Sequence, residues 1–244
     1  MYQKIVNEYK QKHGFEALRP KAVLFDMDGV IYDSMPNHAR SWHQAMTAVG
    51  IQMEESEAYR YEGMRGVETI KLKALQQWGR ELSDEEAQKI YDLKATAFSQ
   101  CPPASKMEGT EELMKQIKAE GLTICVVTGS GQRSLLEKLE TDFKGLISQK
   151  FVITSFDVSH GKPAPDPYLA GMQKAGVNPW EAIVVENAPL GVQSAVKAKC
   201  FTVAVNTGPL ADEELICKGA DVIMPDMKTF SQQWKTLYTT IQNG

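Results

Sequence analysis

The sequence predicts an α/β protein: a doubly wound parallel sheet, interrupted after its first strand by an inserted run of helices. Short β-rich apolar runs alternate with helix-length segments at close spacing, the rhythm of parallel strands joined by crossover helices. Between residues 34 and 103 the β-rich runs stop and helical periodicity continues alone. Residues 1–34 and 104–244 are therefore expected to form the α/β unit and residues 35–103 the helical insertion. A chain of 244 residues is long enough for a large core with such an inserted subdomain.

Taken in order, residues 2–12 place Tyr2, Ile5, Val6 and Tyr9 on one helical face, read as a helix packed on the core. After Pro20 comes the first strand, whose apolar part, Ala22–Phe25, stops at Asp26; Asp28 and Gly29 follow. Pro36 suits the first turn of a helix running through His38, Trp42, Met46 and Val49 to Gly50. Further helices are expected over 54–60 and 67–78, and Ser83 with Glu86 makes a capping box for one through Ile90, Leu93 and Phe98. Residues 34–36 and 101–103 read as outgoing and returning hinges. The alternation then resumes: helix 109–120, strand 122–127, helix 132–140, strand 151–154. Asp166 and Pro167 offer an N-cap and a first-turn proline for a helix to Ala175, and Asn178 with Pro179 repeats the device. Strand 182–185, helix 190–199, strand 201–205, strand 221–224 and a terminal helix over 230–241 complete the pattern.

Composition narrows the function. A formal charge of −4 gives no electrostatic reason to expect nucleic acid or an anionic membrane as partner, and no protein partner is indicated. No apolar stretch approaches the length of a membrane span. The polar first residues lack a signal-peptide core, and Cys101, Cys125, Cys200 and Cys217 are scattered without a C-x-x-C pair. A reduced, cytoplasmic location is the expectation.

Candidate chemistry sits at the strand ends, where parallel sheets bind ligands. Asp26 and Asp28 would repel each other unless a cation lay between them, and a hard ion such as Mg2+ fits carboxylate oxygens best. Asp is also common in turns, so the pair alone leaves a loop-starting role open. Thr128-Gly129-Ser130 opens a helix and offers a hydroxyl and N–H groups to an anion, or simply an N-cap. Lys162, fixed between Gly161 and Pro163, is either a site cation or a solvated lysine. Glu186 and Asn187 close the fourth strand, as metal ligands or as caps for the next helix.

Asp26-Met-Asp-Gly-Val30, followed in order by the segments around Thr128, Lys162 and Glu186, resembles the four signatures of the haloacid dehalogenase (HAD) superfamily. The resemblance covers roughly residues 21–225 and is strongest to the β-phosphoglucomutase-like branch, with a Rossmann-like core and an inserted helical cap. It implies that Asp26 is a nucleophile forming an aspartyl phosphate and that Asp28 is the general acid/base. It implies that Thr128, Gly129 and Ser130 hold the phosphoryl oxygens and that Lys162 neutralises them. Mg2+ would be held by Asp26, the Asp28 carbonyl, Asn187 and Glu186, the last through water. Relatives of this branch usually carry an acidic pair where this sequence has Glu186-Asn187, so one negative charge is missing here.

The cap is expected to choose the substrate, a small phosphate compound, through His38 and the loop Tyr61-Glu62-Gly63-Met64-Arg65-Gly66. In β-phosphoglucomutase a lysine precedes that glycine and an arginine follows it by three; here the positions hold Glu62 and Gly66, with Arg65 adjacent. Glu62 with Asn187 is similar to a Bacteroides-type HAD inorganic pyrophosphatase, in which Glu62 would reach the metal from the cap. Pyrophosphate is therefore the expected substrate. A β-phosphoglucomutase or sugar-phosphate phosphatase is the alternative if Arg65 grips a second phosphate, and Glu62 paired with Arg60 or Arg65 would be a mere surface contact. A non-catalytic phosphate-binding protein is the reading from another class, and Asp26, Asp28, Thr128 and Lys162 together speak against it.

Overall fold

Strand β1 (Ala22–Phe25) is wholly buried because a parallel strand at the centre of a sheet is covered on both faces. The computed structural model, which describes residues 2–130 and 133–244, places it between β2 (Thr123–Val127) and β4 (Ala182–Glu186). The sheet runs β3-β2-β1-β4-β5-β6, all parallel, with β3 Val152–Ile153, β5 Phe201–Val205 and β6 Val222–Met224. Strand order reverses between β1 and β4, so the loops after these strands flank the crevice where such sheets bind ligands.

Alternate residues feed two cores. Val23 and Phe25 join Ile124, Val126, Val185 and Val203 under helices α1 (Tyr2–His13), α6 (Thr110–Ala119) and α11 (Met227–Gln242). Ala22 and Leu24 join Cys125, Val127 and Val184 beneath α8 (Asp166–Ala175) and α9 (Pro189–Lys197). Between β1 and α6 stand α2 (Met35–Ala48), α3 (Glu55–Arg60), α4 (Gly66–Trp78) and α5 (Asp84–Ser99), whose Trp42, Met46, Ile70 and Ile90 form a core of their own. The Ser83–Glu86 capping box opens α5 as the sequence predicts. Among the described residues no helix is long and apolar enough to cross a membrane.

The differences from the sequence pattern are local. The expected strand 151–154 shortens to two residues at the sheet edge, where only β2 pairs with it, and Phe151 closes a 3-10 turn. Pro165, not Asp166, caps α8, because the Asp166 carboxylate is taken by His160 Nδ1 at 2.9 Å. Asn178 does cap, but it opens only the 3-10 turn Pro179–Glu181 before β4 begins. Helix α7 (Arg133–Asp142) follows β2; its expected first residue, Gln132, lies outside the described residues. The five-residue α10 (Asp212–Ile216) is too short for periodicity to reveal.

Candidate active site

The loop after β1 carries the two aspartates. The Asp26 N–H donates to the Val185 carbonyl at 2.9 Å, extending the sheet by one bond, and the residue is only 2% exposed. Gly29 then turns the chain at φ +84°, and a Cβ there would lie 2.0 Å from Asn187 Nδ2, so no other residue fits this approach.

Lys162 ties three strand ends together. Its Nζ donates to Asp26 Oδ1 at 2.5 Å, to Glu186 Oε1 at 2.6 Å and to the Val127 carbonyl at 3.2 Å. At 1% exposure it is not a solvated lysine. Glu186 is fully engaged: Oε1 also accepts the Tyr168 hydroxyl at 2.6 Å, and Oε2 accepts the N–H groups of Asn187 and Ala188 at 3.0 and 3.3 Å. It therefore fixes the turn that leads into α9 and positions Lys162. Thr128 is buried, and its Oγ1 accepts the Ser130 N–H at 3.0 Å. Tyr168 was not foreseen from the sequence.

Asp28 faces the helical insertion. Its Oδ1 accepts Ser34 Oγ at 2.6 Å and lies 3.2 Å from His38 Nε2, while His38 Nδ1 lies 2.8 Å from Lys94 Nζ. An ammonium can only donate, so Lys94 fixes Nδ1 as acceptor and Nε2–H as the donor to Asp28. Burial, then Lys94, lowers the His38 pKa despite Asp28, keeping the ring neutral. Burial pushes Asp28 upward, but His38, Ser34 and Lys94 outweigh it and hold the carboxyl below its ordinary value. Burial also lowers Lys94 to about 8 against the pull of Glu62 and Asp28. Lys94 is the chief residue that sequence reasoning missed. Its signal was available: Ala87, Ile90, Lys94 and Ala97 form the buried stripe of α5, so the lysine sits among inward-facing positions.

The loop between α3 and α4 lies directly on the sheet edge. Gly63 takes φ +85°, and a Cβ there would meet Lys162 Cδ at 2.6 Å. Its carbonyl oxygen sits 3.1 Å from the place a Gly129 Cβ would occupy. Two of the expected contacts come out differently. Arg65 is turned away from the site: its Nη1 and Nη2 donate to the Ser159 and Ser155 carbonyls at 3.0 and 3.4 Å, tying insertion to core. Arg60 pairs with Glu214 at 2.8 Å, so neither arginine neutralises Glu62. Burial, with Asp28 and Asp26 behind it, raises Glu62 to about 8. Burial likewise outweighs Lys162 and, helped by Glu186 and Asp28, raises Asp26 to about 7. The space between Asp28, His38, Glu62, Tyr91, Lys94 and Ser130 is small, about 40 Å³, and half open.

The donor set suits a hard divalent cation. Asp26 Oδ2 and Asn187 Oδ1 are buried oxygens without a hydrogen-bond partner, a costly state that a cation would relieve. Among the described residues, the carboxylates of Asp26, Asp28, Glu62 and Glu186 face the ammonium groups of Lys94 and Lys162, a formal excess of two negative charges. Among the described residues no three His, Cys, Asp or Glu side chains converge as a ready cluster, so an amide and backbone oxygens would have to complete the shell.

Known proteins resemble the chain over most of its length. The family model described as haloacid dehalogenase-like hydrolase matches residues 23–205. Hexitol phosphatase A of Escherichia coli is 30% identical over 191 residues, 78% of this chain and 84% of that protein. Validoxylamine A 7'-phosphate phosphatase of Streptomyces hygroscopicus subsp. limoneus is 30% identical over 207 residues, 85% of this chain and 94% of its own length. A solved Bacteroides vulgatus protein, provisionally described as a beta-phosphoglucomutase, is 45% identical with a TM-score of 0.95, covering 99% of this chain and 98% of that one.

Proposed function

The chain belongs to the haloacid dehalogenase-like hydrolase family, and from that premise we propose a Mg2+-dependent phosphohydrolase that acts through an aspartyl phosphate on Asp26, with inorganic pyrophosphate as substrate. The observation that carries the choice of substrate is the cavity. About 40 Å³ accommodates about three water-sized groups, the scale of a leaving phosphate and far short of a hexose. Its wall carries Lys94, a buried ammonium suited to an anionic leaving group, and Glu62, which a divalent ion would neutralise.

In this reading the Asp26 carboxylate attacks phosphorus and the bond to the leaving phosphate breaks. Asp28, held as a carboxylate by Ser34 and His38, acts as the base: the phosphate leaves as an anion beside Lys94, and Asp28 then takes a proton from the water that attacks the aspartyl phosphate and frees Asp26. Its depressed pKa suits an anhydride, because phosphate departs with less proton help than the alkoxide of an ester. Lys162 gives the transferring group fixed positive charge, and Thr128, whose Oγ1 accepts the Ser130 N–H, keeps its hydroxyl proton to donate to it. Mg2+ bound at Asp26, the Asp28 carbonyl and Asn187, with Glu62 from the cap, would supply charge neutralisation on the phosphoryl oxygens.

Metal-free protein should lose stability as pH rises. Asp26 and Glu62 have raised folded-state values, about 7 and about 8, so the folded chain holds more protons than the unfolded one between their ordinary range and those values. The contribution is full near pH 4 and declines toward pH 8. Mg2+ binds the deprotonated forms, so its upward shift of Tm is expected to be larger at pH 8 than at pH 5.5. Calorimetry with and without Mg2+ checks this, and an equal shift at both values would contradict it.

The named relatives favour a second reading, a sugar-phosphate phosphatase or phosphoglucomutase, in which the cap opens to admit the sugar. Phosphate release from pyrophosphate measured beside product formation from β-glucose 1-phosphate decides between them. We expect pyrophosphate to be turned over and Glu62→Ala to lower its kcat/KM by about 10². Turnover of the sugar phosphate with pyrophosphate inert would reject the first reading.

A further inference from the structure

Two cavities meet at one aromatic ring. Beside the 40 Å³ space over Asp28 lies a cleft of about 660 Å³, between helices α4 and α5 and the core loop at Ser155 and Phe156. Gly66, Tyr91 and Gly129 line both and so form the partition. Two of the three have no side chain, which leaves Tyr91 as its bulk. The ring rests against the start of α4: a Cβ built on Gly66 would fall 2.2 Å from Tyr91 Cε2 and 2.3 Å from Cδ2. Trp42 backs it, with ring centroids 6.2 Å apart, and the Lys94 ammonium lies 5.9 Å from its centroid. Tyr91 and Lys94 are three residues apart on α5, so one helical face presents both the cation and the partition. Burial, then Glu62 and Asp28, raises the Tyr91 phenol above its ordinary value, which keeps it uncharged beside the anionic site.

We infer that Tyr91 is a specificity-determining residue that limits the leaving group to the size of a phosphate by closing the active cavity off from the neighbouring cleft. The inference rests on the pyrophosphate reading of the site. An organic leaving group outgrows the small, half-open cavity, and on the side of the cleft it meets Tyr91. The cleft beyond could hold one: its volume lies in the range of small-molecule pockets, and Val67 and Phe156 stand there beside Lys71 and Gln88. Residue 91 thus decides whether the catalytic core sees a bare anhydride or a phosphate ester.

The test is the gain of a larger substrate. Tyr91→Ala is expected to raise kcat/KM for glucose 1-phosphate at least about tenfold over the unmodified protein. Tyr91→Phe keeps the ring and should give no rise. Tyr91→Leu retains apolar bulk on α5, should give a smaller rise, and serves if Tyr91→Ala does not fold. A residue that only supports the fold would lose activity and gain none. No rise with either small side chain, or an equal rise with phenylalanine, overturns the inference. The unmodified protein judges the underlying reading separately: if it already prefers glucose 1-phosphate to pyrophosphate, that reading fails whatever the variants do.

Discussion

Asp26→Asn is expected to lower kcat by about 10⁴ or more while leaving a folded protein. Asparagine keeps the shape and can still accept the Lys162 hydrogen bond, but its amide cannot attack phosphorus. Asp26 is almost wholly buried, and its carboxyl is already raised toward neutrality, so removing the charge relieves a strained electrostatic balance instead of creating a hole. Metal-free Asp26→Asn should therefore be at least as stable as the parent at pH 8, with a smaller Mg2+-induced gain in Tm. Single-turnover kinetics and thermal melts measured together check both halves. Undiminished turnover would remove Asp26 as nucleophile, and a phosphate-binding scaffold without chemistry would show no turnover in either protein.

The core of the site was legible because its fold writes chemistry at predictable places. A buried parallel strand is a continuous apolar run, and the first polar residue after it stands at the ligand edge. Asp26 follows β1, Thr128 follows β2 and Glu186 closes β4 in that way. The role of Glu186 was not legible to the same depth. Nothing in a linear sequence says that Tyr168 and Lys162 occupy one of its oxygens and backbone amides the other.

The insertion was harder to read, for a geometric reason. Its loop turns at Gly63, and that single left-handed residue decides that Glu62 faces the aspartates while Arg65 faces the carbonyls of Ser155 and Ser159. Adjacent positions in a loop carry no periodicity from which direction could be taken. Lys94 and Tyr91 belong to a helix, where periodicity does exist. A lysine on the stripe of Ala87, Ile90 and Ala97 violates the pattern of an amphipathic helix, and such violations mark functional sites.

Lys162→Met is expected to damage stability and activity through different partners. The substitution removes one buried cation from two buried carboxylates and should cost about 3–5 kcal/mol near neutral pH. The loss should be smaller at pH 5, where Asp26, raised to about 7 even beside Lys162, is already protonated and only Glu186 is left stranded. Activity should fall by about 10³ at every pH, because the transferring phosphoryl group loses its fixed positive charge. Arginine is not expected to rescue, since a planar guanidinium cannot reproduce the three bonds of the Lys162 ammonium to Asp26, Glu186 and the Val127 carbonyl. Adding Glu186→Gln to Lys162→Met removes the stranded second carboxylate, so it should recover part of the stability and none of the activity. Denaturant titration at pH 5 and 8, with kinetics on the double variant, separates the two roles. Recovery of both together would mean that Lys162 acts only as a structural counter-ion for Glu186 and Asp26.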